Sequence, residues 1–322
     1  MVVITGAYGF VGSNMVAKLL EKGAKNLVVV DDFSKIAKEP NLIKKSNLMR
    51  IERSLFPHWL QKNGEKVETI FHLGARTDTT NLEKQVFETL NLEYSKTLWN
   101  HCTNFSIPFI YASSAATYGD GAFGYSDESL ELLEKLVPLN PYAESKQAFD
   151  LWALKQSKTP PFWVGFKFFN VYGPNESHKG RMASVLFHAF QQIKASGKIN
   201  LFKSHNPKYP DGGQLRDFIY VKDVCSVLEF FSKNKVDSGI YNLGTGTART
   251  FLDLAKSVAA ALRIPVEINF IETPIDIRNK YQYFTEATMV KLRSAGYAEK
   301  FITLEQGADD YIKNFLIPNI YA

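Results

Sequence analysis

A chain of 322 residues with 45% hydrophobic and 22% charged residues has the composition of an ordinary globular protein with a sizeable core, which sets disordered and fibrous classes aside. No apolar run reaches the roughly 18 residues of a spanning helix, so no membrane partner is expected. The net charge of +5 is dispersed: Lys35, Lys38, Lys44 and Lys45 stand among apolar and polar residues without an aromatic series, which suits a solvated surface or an anionic small molecule and argues against nucleic acid.

The first residues, Val2–Thr5, read as a strand and not as a signal peptide. A helical pattern follows from about Phe10 to Lys22, then a strand at Leu27–Asp31 and another at Thr69–Leu73. A second helical pattern runs from about Leu82 to Cys102, followed by a strand at Pro108–Ser113, a helix around Tyr142 and a strand at Phe162–Phe169. Strands that are nearly continuous in apolar residues, alternating with helices, predict an α/β fold with a Rossmann-like doubly wound parallel sheet. From Asn170 the character changes. Turn residues cluster at Gly173-Pro174-Asn175 and at Asn206–Gly213, a helix is expected from about Met182 to Lys194, and Arg216–Val221 reads as a strand with Asp223 near the start of the next helix. The expected division is a dinucleotide-binding domain over 1–170 with a return segment at 214–243, and a second, smaller α/β substrate lobe from 171–213 and 244–322. Cys102 and Cys225 lack metal-ligand spacing; they predict no metal site and a reducing, cytoplasmic setting.

Gly6, Gly9 and Gly12 fall where the first strand turns into the first helix. A chain that turns tightly there lets a pyrophosphate reach backbone amides at the positive end of the helix. The spacing is Gly-x-x-Gly-x-x-Gly, and its place directly after a strand is what makes it specific. Asp31 closes the second strand at the position of an acidic residue that binds an adenosine ribose, which favours NAD. Lys35, Lys38 and Arg50 follow and would surround a 2′-phosphate, so NAD and NADP both remain open at this point.

The run Tyr142-Ala143-Glu144-Ser145-Lys146 carries the chemistry. Asn140 and Pro141 read as an N-cap and an N1 proline, which puts Tyr142 in the first helical turn with Lys146 one turn on, on the same face. A phenol that works as a base near neutrality must have its pKa brought down from about 10 toward 7, at about 4 kcal/mol. The Lys146 charge and the helix terminus are the expected sources.

These features resemble the extended short-chain dehydrogenase/reductase family over nearly the whole chain, with further matches at Phe71-His72-Leu73-Gly74-Ala75, Ser113–Gly119, Phe169–Pro174, Arg216-Asp217-Phe218 and Asn242-Leu243-Gly244. The resemblance implies a serine that positions the sugar hydroxyl at Ser114, Tyr142 as acid/base, and Lys146 on the nicotinamide ribose. It implies cofactor contacts at Gly6, Gly9, Phe10, Val11, Gly12, Asp31, Asp32, Lys38, Arg50, Leu73, Gly74, Ala75, Asn91, Lys146, Val171 and Lys179.

A narrower resemblance, carried by Tyr111–Gly119, by Phe169–Val185 with its His178-Lys179-Gly180-Arg181-Met182-Ala183-Ser184 run, and by Tyr281-Gln282, Phe284-Thr285 and Ala295-Gly296-Tyr297, is to the sugar-nucleotide epimerases that act on ADP-heptose. It implies inversion of C6 of ADP-D-glycero-D-manno-heptose through a transient ketone, NADP as cofactor with NAD the alternative, Lys179 as a second base, and a homo-oligomer such as a pentamer. Substrate contacts are implied at Ser114, Asn170, Arg181, His188, Phe202, Arg216 and Tyr281. Arg181, Ser184 and His188 are expected on one helix face suited to a diphosphate. A UDP-sugar C4-epimerase of the same family is the alternative; a 4,6-dehydratase is disfavoured because Ala115-Ala116 stand where such enzymes carry Asp-Glu. Tyr8 departs from the usual small residue of the glycine loop and is expected to narrow the pyrophosphate approach. The segments Asp120–Leu139 and His205–Leu215 are longer than the resemblance leads one to expect.

Overall fold

The computed structural model describes residues 1–43, 45–46, 48–234, 236–278 and 281–322, and for Asp276 and Ile277 the backbone alone. Among these residues the strands β1 (Val2–Thr5), β2 (Leu27–Asp31), β3 (Leu48–Glu52), β4 (Thr69–His72), β5 (Phe109–Ser114), β6 (Trp163–Phe168) and β10 (Gly239–Leu243) build one parallel seven-stranded sheet in the order β10-β6-β5-β4-β1-β2-β3. Its central strands are buried on both faces, as the Leu-Val-Val-Val-Asp run of β2 requires. β3 escapes a periodicity reading because it is an edge strand whose Met49 and Arg50 are exposed. The helix Phe10–Glu21 follows β1, and the helix Pro141–Leu154 precedes β6.

The chain reverses its direction of travel across the sheet between β1 and β4, and crevices at such points are where α/β sheets bind ligands. The second helical pattern is one rod of three pieces: α-helix at Lys84–Phe87, a π-helical stretch at Glu88–Glu93, and α-helix at Tyr94–Asn104. Of the expected return segment, Gly239–Leu243 joins the main sheet beside β6, but β9 (Leu215–Tyr220) does not. It lies between β7 (Asn170–Tyr172) and β11 (Ala248–Thr250) in a separate three-stranded sheet. β8 (Lys198–Phe202) and β12 (Glu267–Ile271) pair as a two-stranded parallel ribbon. Cys102 and Cys225 are buried and unpaired.

Two glycines fix the turn after β1. Gly6 has φ +69°, and a Cβ there would run into the backbone of Gly74, which follows β4. A Cβ on Gly12 would collide with the carbonyl oxygen of Gly6. Gly12→Ala should therefore lower stability by about 1–3 kcal/mol, the cost of forcing a methyl into packed backbone, and should weaken dinucleotide binding as well. Thermal unfolding followed by circular dichroism, with and without dinucleotide, measures both; an unchanged melting temperature would contradict this packing.

Candidate active site

The glycine turn forms a cradle at the C-terminal edge of the sheet. Gly6 N–H donates to Val30 O at 2.8 Å, and Gly9 is the N-cap of the helix Phe10–Glu21 with no side chain over its first amides. Phe10 and Gly12 are buried, and Val11 is half-buried. Leu73 N–H donates to Thr5 O at 3.1 Å, which brings Leu73-Gly74-Ala75 alongside the turn. An open helix terminus in contact with a second glycine-bearing strand end fits the diphosphate of a dinucleotide.

At the far end of the cradle Asp31 is buried and fully engaged. One carboxylate oxygen accepts from Tyr8 N–H at 2.9 Å; the other accepts from Asp32 N–H at 2.8 Å and from Lys38 Nζ at 3.1 Å. Asp32 instead serves its own turn, where the Ser34 hydroxyl holds its carboxyl below the usual range. The Arg50 guanidinium lies 6.0 Å from the rings of both Tyr8 and Phe33. Tyr8, expected to narrow the pyrophosphate approach, has its ring buried edge-on against Phe33, centroids 4.8 Å apart, while its backbone N–H donates to Asp31.

Tyr142, Lys146 and Ser114 come together where β5 meets the helix Pro141–Leu154. The N-cap forms as the sequence predicts: Asn140 Oδ1 accepts from Ala143 N–H at 2.9 Å, with Pro141 in the first turn. Ser114 ends β5, and its hydroxyl oxygen accepts from Ala116 N–H at 3.1 Å. Of the two expected sources of Tyr142 acidity, the helix terminus is in place, with Tyr142 in its first turn. Burial raises the phenol pKa above 10.0; a hydrogen bond with Ser114 lowers it, and the charge of Asp150 raises it. The Lys146 ammonium donates to the Ala112 carbonyl, Nζ to O 2.7 Å. Lys146 is only 4% exposed, and burial pulls its pKa down to about 8 against the opposing charge of Asp150.

Two hydrogen-bonded chains hold this trio. Asp150, one turn after Lys146, accepts from Tyr111 OH at 3.0 Å, Ser113 Oγ at 2.6 Å and Lys167 Nζ at 2.8 Å. On the other side Thr5 Oγ1 meets His72 Nδ1 at 2.6 Å and His72 Nε2 meets Ser95 Oγ at 2.9 Å. Ser95 bonds to the Asn91 carbonyl. Asn91 Nδ2 donates to Ser145 Oγ at 3.0 Å, and Ser145 Oγ donates to Tyr142 O at 2.7 Å. His72 stays neutral, since burial and then the Lys146 charge push its pKa down to about 3. Asn91, expected at the cofactor, also ties down Arg76 through its N–H at 2.7 Å and its carbonyl at 3.0 Å.

Of the residues expected around the substrate, Phe202, Arg216 and Tyr281 converge. The Arg216 guanidinium is 5.4 Å from the Tyr281 ring and 5.5 Å from Phe251, and Phe202 meets Tyr281 at 6.2 Å. Asn170 is exposed on β7, opposite Phe218 of β9 and so two positions from Arg216 in register. Arg181 and Ser184 do not share a helix face with His188. The helix is Val185–Ser196, and Ser184 is its N-cap, with Oγ accepting from Phe187 N–H at 3.2 Å. Arg181 is exposed in the preceding short turn Ser177–Met182, and His188 is half-buried against Phe187.

Lys179 sits in that same turn, which breaks at Gly180 with φ +54°. Its Nζ is 5.2 Å above the Phe10 ring, at the start of the cofactor helix; burial lowers its pKa and the neighbouring Glu176 opposes this. Among the described residues it makes no hydrogen bond or ion pair to Ser114, Tyr142 or Lys146. Its loop is stitched to the cofactor helix instead: Asn14 Nδ2 donates to Pro174 O at 2.9 Å, Asn175 Nδ2 to Ser13 Oγ at 2.9 Å, and Asn41 Nδ2 to Tyr8 O at 2.9 Å and Asn175 O at 3.2 Å. Val171 is half-buried on β7, which leads into this loop.

Sequence reasoning missed Asp150, Lys167, His72 and Gln282 as members of the site. Gln282 bonds through its amide to the carbonyl of Gly119, at the end of the turn that follows Ser114, and so ties the aromatic cluster to that turn. Its place beside Tyr281 in the sequence was the available signal. Among the described residues no group of three or more His, Cys, Asp or Glu side chains could hold a metal ion, and no helix is long and apolar enough to cross a membrane.

The family model described as NAD dependent epimerase/dehydratase family matches residues 2–244. The chain is 46% identical over 325 aligned residues to the ADP-L-glycero-D-manno-heptose-6-epimerase of Fusobacterium nucleatum, covering 98% of each chain. Among solved structures it is similar to the Helicobacter pylori ADP-L-glycero-D-manno-heptose-6-epimerase, with a TM-score of 0.80, 28% identity, and 97% and 95% of the two chains covered. The Thermus thermophilus UDP-glucose 4-epimerase in complex with NAD shares the fold, with a TM-score of 0.78 at 24% identity and 98% of each chain covered.

The Lys146 ammonium titrates at its ordinary 10.5 in an unfolded chain and at about 8 when folded. Its charge therefore opposes folding below about pH 8, and that opposition is relieved as the pH rises from 8 to 10.5. Compared with Lys146→Met, the wild-type protein should gain about 3 kcal/mol of relative stability between about pH 7 and pH 10.5. Urea unfolding of both proteins at the two pH values measures this; parallel stability across the range would contradict a buried ammonium.

Proposed function

The chain belongs to the NAD dependent epimerase/dehydratase family, and we propose that within it this protein inverts C6 of ADP-D-glycero-D-manno-heptose to give the L-glycero epimer. The reading is carried by the full-length likeness to the Fusobacterium enzyme, joined to an intact Ser114, Tyr142 and Lys146 set in one place. The UDP-sugar C4-epimerase alternative has only likeness of fold behind it.

In this reading residues 1–170 hold the cofactor, with 221–243 returning to their sheet through β10, and 171–220 with 244–322, β9 and its Arg216 included, hold the sugar nucleotide. The glycine turn and Leu73-Gly74-Ala75 would hold the dinucleotide, whose nicotinamide would supply a reversible hydride acceptor, so that none would be consumed net. Near neutrality Lys146, with a pKa of about 8, is mostly cationic, and it would leave the Ala112 carbonyl for the ribose, bringing its charge toward Tyr142. Ser114 orients the C6 hydroxyl and Tyr142 exchanges its proton. Return of hydride to the opposite face of a ketone needs a proton from a second direction, and Lys179, with a lowered pKa, is the group we assign to it. Phe202, Arg216 and Tyr281 would take the nucleotide end, with Asn170, Arg181 and His188 along the diphosphate and sugar.

The proposed cofactor is NADP. A free carboxylate at Asp31 would repel a 2′-phosphate, but Lys38 neutralises it, and Arg50 lies beside the same turn. The enzyme is proposed to work in the cytoplasm as a homo-oligomer such as a pentamer, as the resemblance implies.

Tyr142→Phe and Lys179→Met should each lower kcat on the ADP-heptose by about 100-fold or more, the scale of lost acid/base catalysis. UDP-galactose should be left unconverted by the wild type. Wild-type turnover in both variants would overturn the assignment of acid and base. Mass spectrometry of small molecules released on denaturation should find NADP, and NAD alone would overturn the cofactor reading.

A further inference from the structure

A lysine with no exposed surface lies beneath the reactive trio, and nothing in the proposed chemistry uses it. Lys167, on β6, is 0% exposed, and its partner Asp150, on the helix that bears Tyr142 and Lys146, is 1% exposed. Their N–O distance is 2.8 Å. Enclosing two charges this completely costs several kcal/mol for each, so such a pair is poor evidence for stability and invites another explanation.

The connections of the pair supply one. Lys167 Nζ also donates to Thr117 Oγ1 at 2.7 Å, and Thr117 Oγ1 donates to Ser114 O at 2.8 Å. Asp150 accepts from Ser113 Oγ, one residue before Ser114, and from Tyr111 OH two residues earlier on β5. Lys146, meanwhile, reaches the carbonyl of Ala112 between them. The pair therefore grips the end of β5 that carries Ser114 from one side and the helix that carries Tyr142 and Lys146 from the other.

We propose that Asp150 and Lys167 are positioning residues of the redox site: they clamp the serine-bearing strand end to the catalytic helix, and their balanced charges set the field in which Tyr142 and Lys146 exchange protons. This rests on the reading of Tyr142 and Lys146 as the reacting groups. The other titratable neighbours are few. Tyr111 comes from β5, Tyr118 from the turn after Ser114 with its ring 5.3 Å from Lys167 Nζ, and His72 from β4 faces Lys146 and stays neutral. Glu144, on the same helix, points outward and pairs with Lys84 at 2.8 Å in an exposed position. Asp150 is thus the enclosed carboxylate that both reacting groups feel, and its charge raises the pKa of each.

The test is a pair of near-isosteric substitutions with opposite electrostatic consequences. Asp150→Asn leaves an unbalanced cation, and Tyr142 should lose its proton about one pH unit lower. Lys167→Met leaves an unbalanced anion, and Tyr142 should titrate about one pH unit higher. The probe is protein labelled with 13C at the tyrosine ζ carbon, with the Tyr142 resonance assigned by its loss in Tyr142→Phe. No substrate is involved, so failure of the ADP-heptose reading appears separately, as absent turnover by the wild type. A merely structural role would broaden or weaken both variants without moving the titration in opposite directions. Shifts of the same sign, or none, would overturn the proposal.

Should a single variant fail to fold, the uncharged double variant Asp150→Asn/Lys167→Met keeps the question decidable. Its Tyr142 titration should return to within about half a pH unit of wild type, since no net charge has changed. Its kcat should still fall about tenfold or more, because the hydrogen bonds to Ser113 and Thr117 are weakened or gone. Full turnover in the double variant, or a titration displaced by more than a unit, would overturn the clamp.

Discussion

Removing an ammonium group from water is among the most expensive things a fold can do, and this one does it twice within a single patch, at Lys146 and Lys167. The two are treated differently. Lys167 has a carboxylate at 2.8 Å and a hydroxyl at 2.7 Å, which satisfies its charge inside the protein. Lys146 has one backbone carbonyl and shares the field of Asp150, so its charge is only partly compensated. An under-satisfied cation held one turn from a tyrosine is a group ready to take up a better partner.

The same division runs through the hydrogen-bonded chains. Asp150 binds the catalytic helix to β5 and β6, while Thr5, His72, Ser95, Asn91 and Ser145 bind it to β1 and β4. The helix is thus fixed to four adjacent strands through buried polar groups, and the neutral His72 can donate at one nitrogen and accept at the other. Such chains suit a site that must keep atoms in place across a change of protonation. The π-helical stretch Glu88–Glu93 belongs to this arrangement, because it contains Asn91, whose side chain reaches both Arg76 and Ser145.

Much of this was legible in the sequence, for a physical reason. Strands buried on both faces must be continuously apolar, so β1, β2, β4, β5 and β6 announced themselves, and Asn140-Pro141 announced the start of the catalytic helix. The edge strand β3 did not, because solvent on one side permits Met49-Arg50. The start of the helix after Lys179 was placed too early: Met182 and Val185 continue an apolar rhythm, although Ser184 carried the N-cap signal that ends it. Asp150 and Lys167 were illegible because a charged residue in a helix or strand pattern ordinarily marks the solvent face. Only the fold shows that these two face each other. Helical spacing likewise put Lys146 near Tyr142 but could not say that its ammonium donates to the Ala112 carbonyl.

Lys146 and Lys179 hang from different supports, one from β5 and the other from the turn Ser177–Met182 over Phe10, and this bears on how one site could serve two faces of a sugar carbon. Lys146 is held through β5, where burial pulls its pKa down to about 8 and the Asp150 charge opposes this. Lys179 rides on a loop tied to the helix Phe10–Glu21 through Asn14 and Asn175 and to Asn41, where burial lowers its pKa and Glu176 opposes this. Glu176 is in turn fixed by the Ser184 amide at 2.6 Å and hydroxyl at 2.7 Å. Two amines with separate supports and separate carboxylates can be tuned independently, which one shared carboxylate would not allow, since close ionisable groups titrate as a unit. In the proposed epimerisation that independence would let one group serve each half-reaction at its own proton affinity.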